Sequence, residues 1–443
     1  MKVVSLEFIV SSFLVFLLVT LCFTGVYVPD VFVEKLNTNL FILLLSLISF
    51  LTIWMSNKRR VLLELLTHNR YIILYLSILL FLLIISGFRF FFYGVGDQYF
   101  VELQFKQLVI SFISTICYSL VLFLVLSQVT LISIYSGVVL FMLVALLVIF
   151  FQLSFPDIKL AIINFTALDQ HWKDFAFATS RGIGFQGLSI WDTSISYALL
   201  YLVFVSFWND NNRLKTVVFY CVFSLILLLT ILSGRTGFLL LFYMHISFGV
   251  YYKKKLELLA LMFVIVFVTS FVYLFSSSGE VKYIIEFSFE LFINLFSASV
   301  STGSTDDLIN NHLFFPDLDN LLLGDNVYIG DGDLNVTVKG DDSDSAFVIY
   351  YKAFGLIGLG STLLMVIFSA FHISYILSML IKAKFRSILL ICSFFLFSLF
   401  IKVPLHTSAA ILKLASFLLV FTYCCHSGTG KVYNTSSNDK VRE

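Results

Sequence analysis

Twelve long, charge-poor hydrophobic runs dominate this sequence and leave little choice of fold. A helix needs about 20 apolar residues to cross the ~30 Å hydrocarbon core of a bilayer. The runs fall at about 6–28, 38–56, 71–94, 108–126, 136–154, 194–208, 216–233, 238–252, 256–277, 346–372, 387–403 and 407–425. In lipid every backbone N–H and C=O must be paired within the protein, which restricts spanning segments to helices or closed barrels. Continuous apolar runs of this length fit helices. The expected fold is therefore all-α, a polytopic transmembrane helix bundle of about 12 spans. Composition agrees: 60% of residues are hydrophobic and 12% charged, against roughly 45–50% and 25% in soluble domains. The four prolines (Pro29, Pro156, Pro316, Pro404) all fall at loops or run ends, where they break no helical hydrogen bond.

Between the runs lies one long polar stretch, 278–345, with thirteen acidic residues against two lysines, Lys282 and Lys339. Its side of the membrane follows from the basic residues. With the N-terminus inside, the short inner segments hold sixteen Lys and Arg, among them Lys58, Arg59, Arg60, Lys253, Lys254 and Lys255. The outer segments hold eight, spread over far more chain. Cytoplasmic loops are the ones enriched in basic residues. Both termini are thus expected in the cytoplasm, with outer loops at about 155–193 and 278–345. The membrane domain runs over 1–427 and a polar cytoplasmic tail over 428–443. The first run is too long for a signal peptide and lacks a small-residue cleavage site, so it is expected to remain as an anchor. All six cysteines fall within or at the ends of the runs, so neither a disulfide framework nor a cysteine metal site is expected.

Few residues outside the runs have the chemistry of a site. Arg181 opens Arg-Gly-Ile-Gly-Phe-Gln-Gly (181–187) on the first outer loop, and Arg235 lies in the Ser-Gly-Arg-Thr-Gly turn at 233–237. Glycines let backbone approach a ligand closely, and a guanidinium presents a planar fork that matches phosphate oxygens. Four cations fall inside the runs: Arg89, Lys352, Lys402 and Lys413. Such groups are costly in lipid and face a partner, a water-filled cavity or the interface. Lys352 follows Asp344 by eight residues, close to two helical turns, and the pair would share a face if the helix begins at Asp344.

The acidic loop contains three Asp-x-Asp triplets, at 317–319, 331–333 and 342–344. In so acidic a loop chance triplets are expected, and no metal or cofactor is assigned to them. The run from Asp331 to Thr337 starts like a calcium loop, but Val336 stands where an EF-hand needs glycine. His171 and His312 are the histidines of the two long outer loops, each expected to be solvated.

Taken in order, these features resemble the O-antigen polymerase (Wzy-type) family of bacterial membrane proteins. The matching pieces are the 181–187 run and the 233–237 turn. They are followed by the long outer loop ending in Asp344-Ser345-Ala346-Phe347, then Phe354-Gly355-Leu356-Ile357-Gly358. The resemblance covers about 178–360. It implies polymerisation of undecaprenyl-diphosphate-linked oligosaccharide repeat units into O-antigen or a related surface polysaccharide. The reaction would be a metal-independent glycosyl transfer at the outer face of the bacterial cytoplasmic (inner) membrane. On the family pattern Arg181 and Arg235 bind the diphosphate or acidic sugars. Asp344 is the expected catalytic carboxylate, taking the acceptor proton, and Lys352 helps to orient it and binds substrate. The partners implied are the lipid-linked glycan, membrane lipids and a chain-length regulator protein, with no nucleic acid.

Two other readings remain open. An O-antigen ligase-like transferase would carry histidine near the end of the large loop, where this chain has Asp344. A polysaccharide flippase or transporter would carry polar residues through mid-span and short loops, and matched Gly- or Pro-broken helices in its two halves.

Overall fold

The computed structural model describes residues 5–24, 26–27, 36–56, 59–166, 173–174, 176–177, 184–185, 191–208, 213–254, 257, 310, 312–329, 343, 345–381 and 384–426. Their secondary structure is helical apart from one antiparallel pair, Val26–Tyr27 with Leu36–Asn37. The helices in chain order are α1 (Leu6–Cys22), α2 (Thr38–Met55), α3 (Arg59–His68) and α4 (Arg70–Tyr93). Helix α5 (Gln98–Leu126) runs through a π-helical turn at Ile113–Cys117. Then come α6 (Leu131–Ser154), α7 (Pro156–Phe165), α8 (Trp191–Leu199), α9 (Tyr201–Trp208), α10 (Arg213–Ser233) and α11 (Arg235–Tyr251). The last three are α12 (Ala346–Ile381), α13 (Phe385–Phe400) and α14 (Ala409–His426). The ninth expected span, 256–277, and the tail 428–443 lie outside the described residues save for Glu257.

Local signals set several boundaries. Asp97 caps α5 by accepting from the Tyr99 N–H at 2.9 Å, and Thr130 caps α6 through the Ser133 N–H at 3.3 Å. Gly94 ends α4 in the left-handed region at φ +63°. Pro156 opens α7 at its first turn, where the missing N–H is harmless.

Among the described residues six helices are long and apolar enough to cross a membrane: α2, α4, α5, α6, α12, and α10 from Leu214 to Ser233. Shorter apolar helices are α1, the α8–α9 pair from Asp192 to Trp208, α13 and α14. Their outward faces are greasy. On α4, Leu74, Leu80, Phe81, Ile84 and Phe88 are exposed, while Ile72, Tyr75, Leu79, Leu82, Ser86 and Arg89 are buried. An apolar side chain left facing water forfeits about 1.5–3 kcal/mol, so ranks of exposed Leu and Phe along a helix call for lipid as the solvent.

The chain divides into two compact units. The first comprises 1–45, 121–299 and 420–443. In it α1 packs on α6, and α8, α10 and α11 pack on one another. The far ends of α9 to α11 are tied by Trp208, which stacks on His245 at 4.3 Å; Trp208 Nε1 and the Tyr220 hydroxyl both donate to Glu257. The second unit comprises 46–120 and 300–419. Here α12 packs on α4 and α13, and α4 on α5. Buried in it, His406 bridges the hydroxyls of Tyr75 (2.9 Å to Nδ1) and Tyr350 (2.7 Å to Nε2).

One expected span has to be redrawn. The run 346–372 reads as a single helix, but α12 is broken at Gly355, which takes φ +59° and ψ −139°. Only glycine adopts that conformation readily, and an α-helix cannot pass through it. The first part, 346–354, is about 14 Å long at 1.5 Å per residue and too short to cross a bilayer. The second, 356–381, is about 39 Å long and long enough. The break was hidden because hydropathy is uniform across it.

Candidate functional site

Breaking a helix orphans backbone groups, and inside a bilayer an orphan costs several kcal/mol. At Gly355 the acidic loop supplies the partners. The Asp325 and Asn326 N–H groups donate to the carbonyls of Lys352 (2.8 Å) and Ala353 (2.9 Å). In return the Leu356 and Ile357 N–H groups donate to the carbonyls of Leu321 (3.0 Å) and Leu322 (3.3 Å). The loop fits there because two glycines cross back to back. A Cβ on Gly324 would stand 2.5 Å from the Gly355 and Phe354 nitrogens, and one on Gly355 would strike the Leu321 carbonyl oxygen.

Side chains lock this crossing. Asn320 accepts from the Leu322 and Leu323 N–H groups at 3.0 and 2.9 Å, shaping the turn that delivers Gly324. Arg89, nearly buried on α4, donates both guanidinium arms to the carbonyls of Leu323 and Gly324. Asn326 is fully buried, tolerates φ +59°, and donates to the carbonyls of Ser86 (3.2 Å) and Val95 (2.9 Å). Lys352 pairs with Asp325 at 2.7 Å and donates to the Asp317 carbonyl at 2.8 Å.

Helix α12 begins at Ala346, and Lys352 is engaged by Asp325 and the Asp317 carbonyl. Asp344 itself lies outside the described residues, flanked by Ser343 and Ser345, which are both fully buried. Ser343 donates to the His312 carbonyl at 2.6 Å. Arg89, one of the four cations inside the runs, turns to the loop carbonyls as partners.

The arginine motifs belong to the first unit. Arg235 stands at the first position of α11 behind Gly234 and is partly exposed. The last glycine of its turn, Gly237, donates its N–H to Ser194 Oγ on α8 at 3.1 Å, and a Cβ there would collide with the Ser194 carbonyl. Arg181 lies outside the described residues, but Gly184 of the same run is held firmly. Its N–H donates to Gln152 Oε1 at 3.0 Å and its carbonyl accepts from Gln152 Nε2 at 2.8 Å. Gly184 has φ +55°, and a Cβ there would stand 2.8 Å from the Tyr197 hydroxyl.

Ser194 and Tyr197 are three residues apart on α8 and share one of its faces. The two motifs, about fifty residues apart in sequence, therefore meet on a single helix. Sequence reasoning missed α8 as a hub. Its signal was present in Trp-Asp-Thr-Ser-Ile-Ser-Tyr (191–197), whose Thr193, Ser194, Ser196 and Tyr197 are all buried, a polar stretch opening an apolar span. Gln152, the amide that pins Gly184, looked like one polar residue ending a run.

Among the described residues no three His, Cys, Asp or Glu side chains stand together as a metal site. An apolar cavity of about 200 Å³ lined by Phe50, Leu65, Asn69 and Ile116 holds none of the expected site residues. No family model matches the chain, and a search of curated proteins finds no significant match.

Proposed function

We propose that this chain polymerises oligosaccharide repeat units carried on undecaprenyl diphosphate, acting at the outer face of a bacterial cytoplasmic membrane through twelve spans. The observation that carries the reading is the convergence of the 181–187 and 233–237 motifs on α8. In the reaction a lipid diphosphate leaves as an acceptor hydroxyl attacks the sugar carbon, and the leaving group gains negative charge. Guanidinium groups fixed beside it stabilise that charge in the transition state. Arg235 and Arg181 take this role; Gln152 holds Gly184 of the first motif and Ser194 holds Gly237 beside Arg235.

A carboxylate must accept the proton of the attacking hydroxyl. Asp344, at the end of the acidic loop just before a span, takes this role. Lys352 pairs with Asp325 and helps hold the loop crossing.

The break at Gly355 favours a second reading, a flippase, since discontinuous helices are how transporters build sites at mid-membrane. A deletion strain separates the two. The polymerase reading expects surface lipid still capped with a single repeat unit. Loss of every repeat unit would instead indicate flipping or ligation.

A further inference from the structure

We propose that the turn at Leu321–Leu323 anchors the acidic loop in the bilayer, with the side chains of Leu321 and Leu322 among the lipid acyl chains. Both leucines are strongly exposed, at 60% and 57%. Beside them Leu356 of α12 is 48% exposed, and its N–H donates to the Leu321 carbonyl at 3.0 Å. Leu356 shares one helix face with Leu363 and Ile367, which are exposed too. That apolar face calls for lipid, and the loop leucines extend the same surface.

The backbone of the turn meets the condition that lipid sets. Irregular chain survives beside hydrocarbon only when its polar groups are paired within the protein. From the Leu321 carbonyl to the Asp325 N–H every one is paired. The Leu322 and Leu323 N–H groups donate to Asn320 Oδ1, and the Gly324 N–H donates to the Asn320 carbonyl at 2.7 Å. The Leu321 and Leu322 carbonyls accept from α12, and those of Leu323 and Gly324 accept from Arg89. The Asp325 N–H donates to the Lys352 carbonyl. A turn in open water has no need of such completeness, because water pairs what the chain leaves free. Nor does it gain from showing two leucines.

The level is right as well. From Arg70 to Arg89 α4 rises about 29 Å at 1.5 Å per residue, which matches the ~30 Å hydrocarbon core. Arg89 thus grips the turn at the edge of that core. Just beyond it stand the exposed Phe91, Phe92 and Tyr93, aromatics of the kind that mark the membrane interface. Asp317 and Asp319, both exposed, form the water side of the same loop.

Nitroxide labels read the depth of the turn. The labelled proteins are Leu321→Cys, Leu322→Cys and, as the water-side reference, Asp319→Cys. Each is the full chain carrying Cys221→Ser, since Cys221 is the exposed one of the six native cysteines. A melting temperature equal to that of the Cys221→Ser parent shows that a labelled protein is folded, and the two leucine positions give independent readings. In liposomes of phosphatidylethanolamine and phosphatidylglycerol, molecular oxygen concentrates among the acyl chains while a nickel chelate stays in water. Oxygen should relax the labels at 321 and 322 more than the chelate does, and the order should reverse at 319. Stronger relaxation by the chelate at 321 and 322 would put the turn in water. Weak relaxation by both would put it under protein, either a second copy of the chain or another segment of this one. Either result would overturn the proposal, and neither bears on the polymerase reading.

Discussion

Lys352 Nζ lies 2.7 Å from Asp325 Oδ2, joining the broken helix α12 to the loop that crosses it. Both side chains are mostly shielded, with 18% and 13% exposure, so removing one strands the other in a poor solvent. Lys352→Ala and Asp325→Ala should each destabilise the protein by about 1–3 kcal/mol. The double variant should lose less than the sum, since the second removal relieves the group stranded by the first. Melting temperatures of the four proteins in detergent complete the cycle. Strict additivity would mean that the pair does not couple.

The glycine crossing makes a sharper demand. An alanine at Gly324 or Gly355 places a methyl group against backbone atoms, at a positive φ in both cases. Neither neighbour is a side chain that can swing away, so each variant should fall to a small fraction of wild-type level in the membrane. Gly360→Ala, five residues after Gly355 with nothing within 4 Å of an added Cβ, should accumulate normally. Immunoblots of membrane fractions read the difference.

How much of this was legible beforehand depended on which physical property the sequence exposes. Apolar length fixed most helices well: the expected 38–56 and 71–94 correspond to Thr38–Met55 and Arg70–Tyr93. The break at Gly355 was not legible from hydropathy, because Phe354 and Leu356 are as greasy as any span residue and one glycine is tolerated inside many helices. Nor was the partner of Lys352. Helical spacing proposed Asp344, but the partner came from Asp325, 27 positions upstream, through a loop contact that no periodicity encodes. The arginine motifs were visible as Gly-Arg patterns, whereas their meeting place on α8 needed the three-dimensional packing of Ser194 and Tyr197.

Arg235 tests the guanidinium assignment. Lysine keeps the charge but loses the planar fork, so Arg235→Lys should reduce polymer formation on the order of 10²-fold, as expected for loss of a charge-assisted bidentate contact. Protein level should not change, because Arg235 is only partly buried. Polymer of full length from Arg235→Ala at normal membrane levels would remove the residue from the site.

The central claim is that this chain itself joins lipid-linked repeat units, and reconstitution tests it most directly. Purified protein in liposomes, supplied only with undecaprenyl-diphosphate-linked repeat units and a metal chelator, should convert them to a ladder of longer chains, and the Arg235→Lys protein should leave them nearly unchanged. Repeat units that stay single with folded wild-type protein in the bilayer would contradict the account.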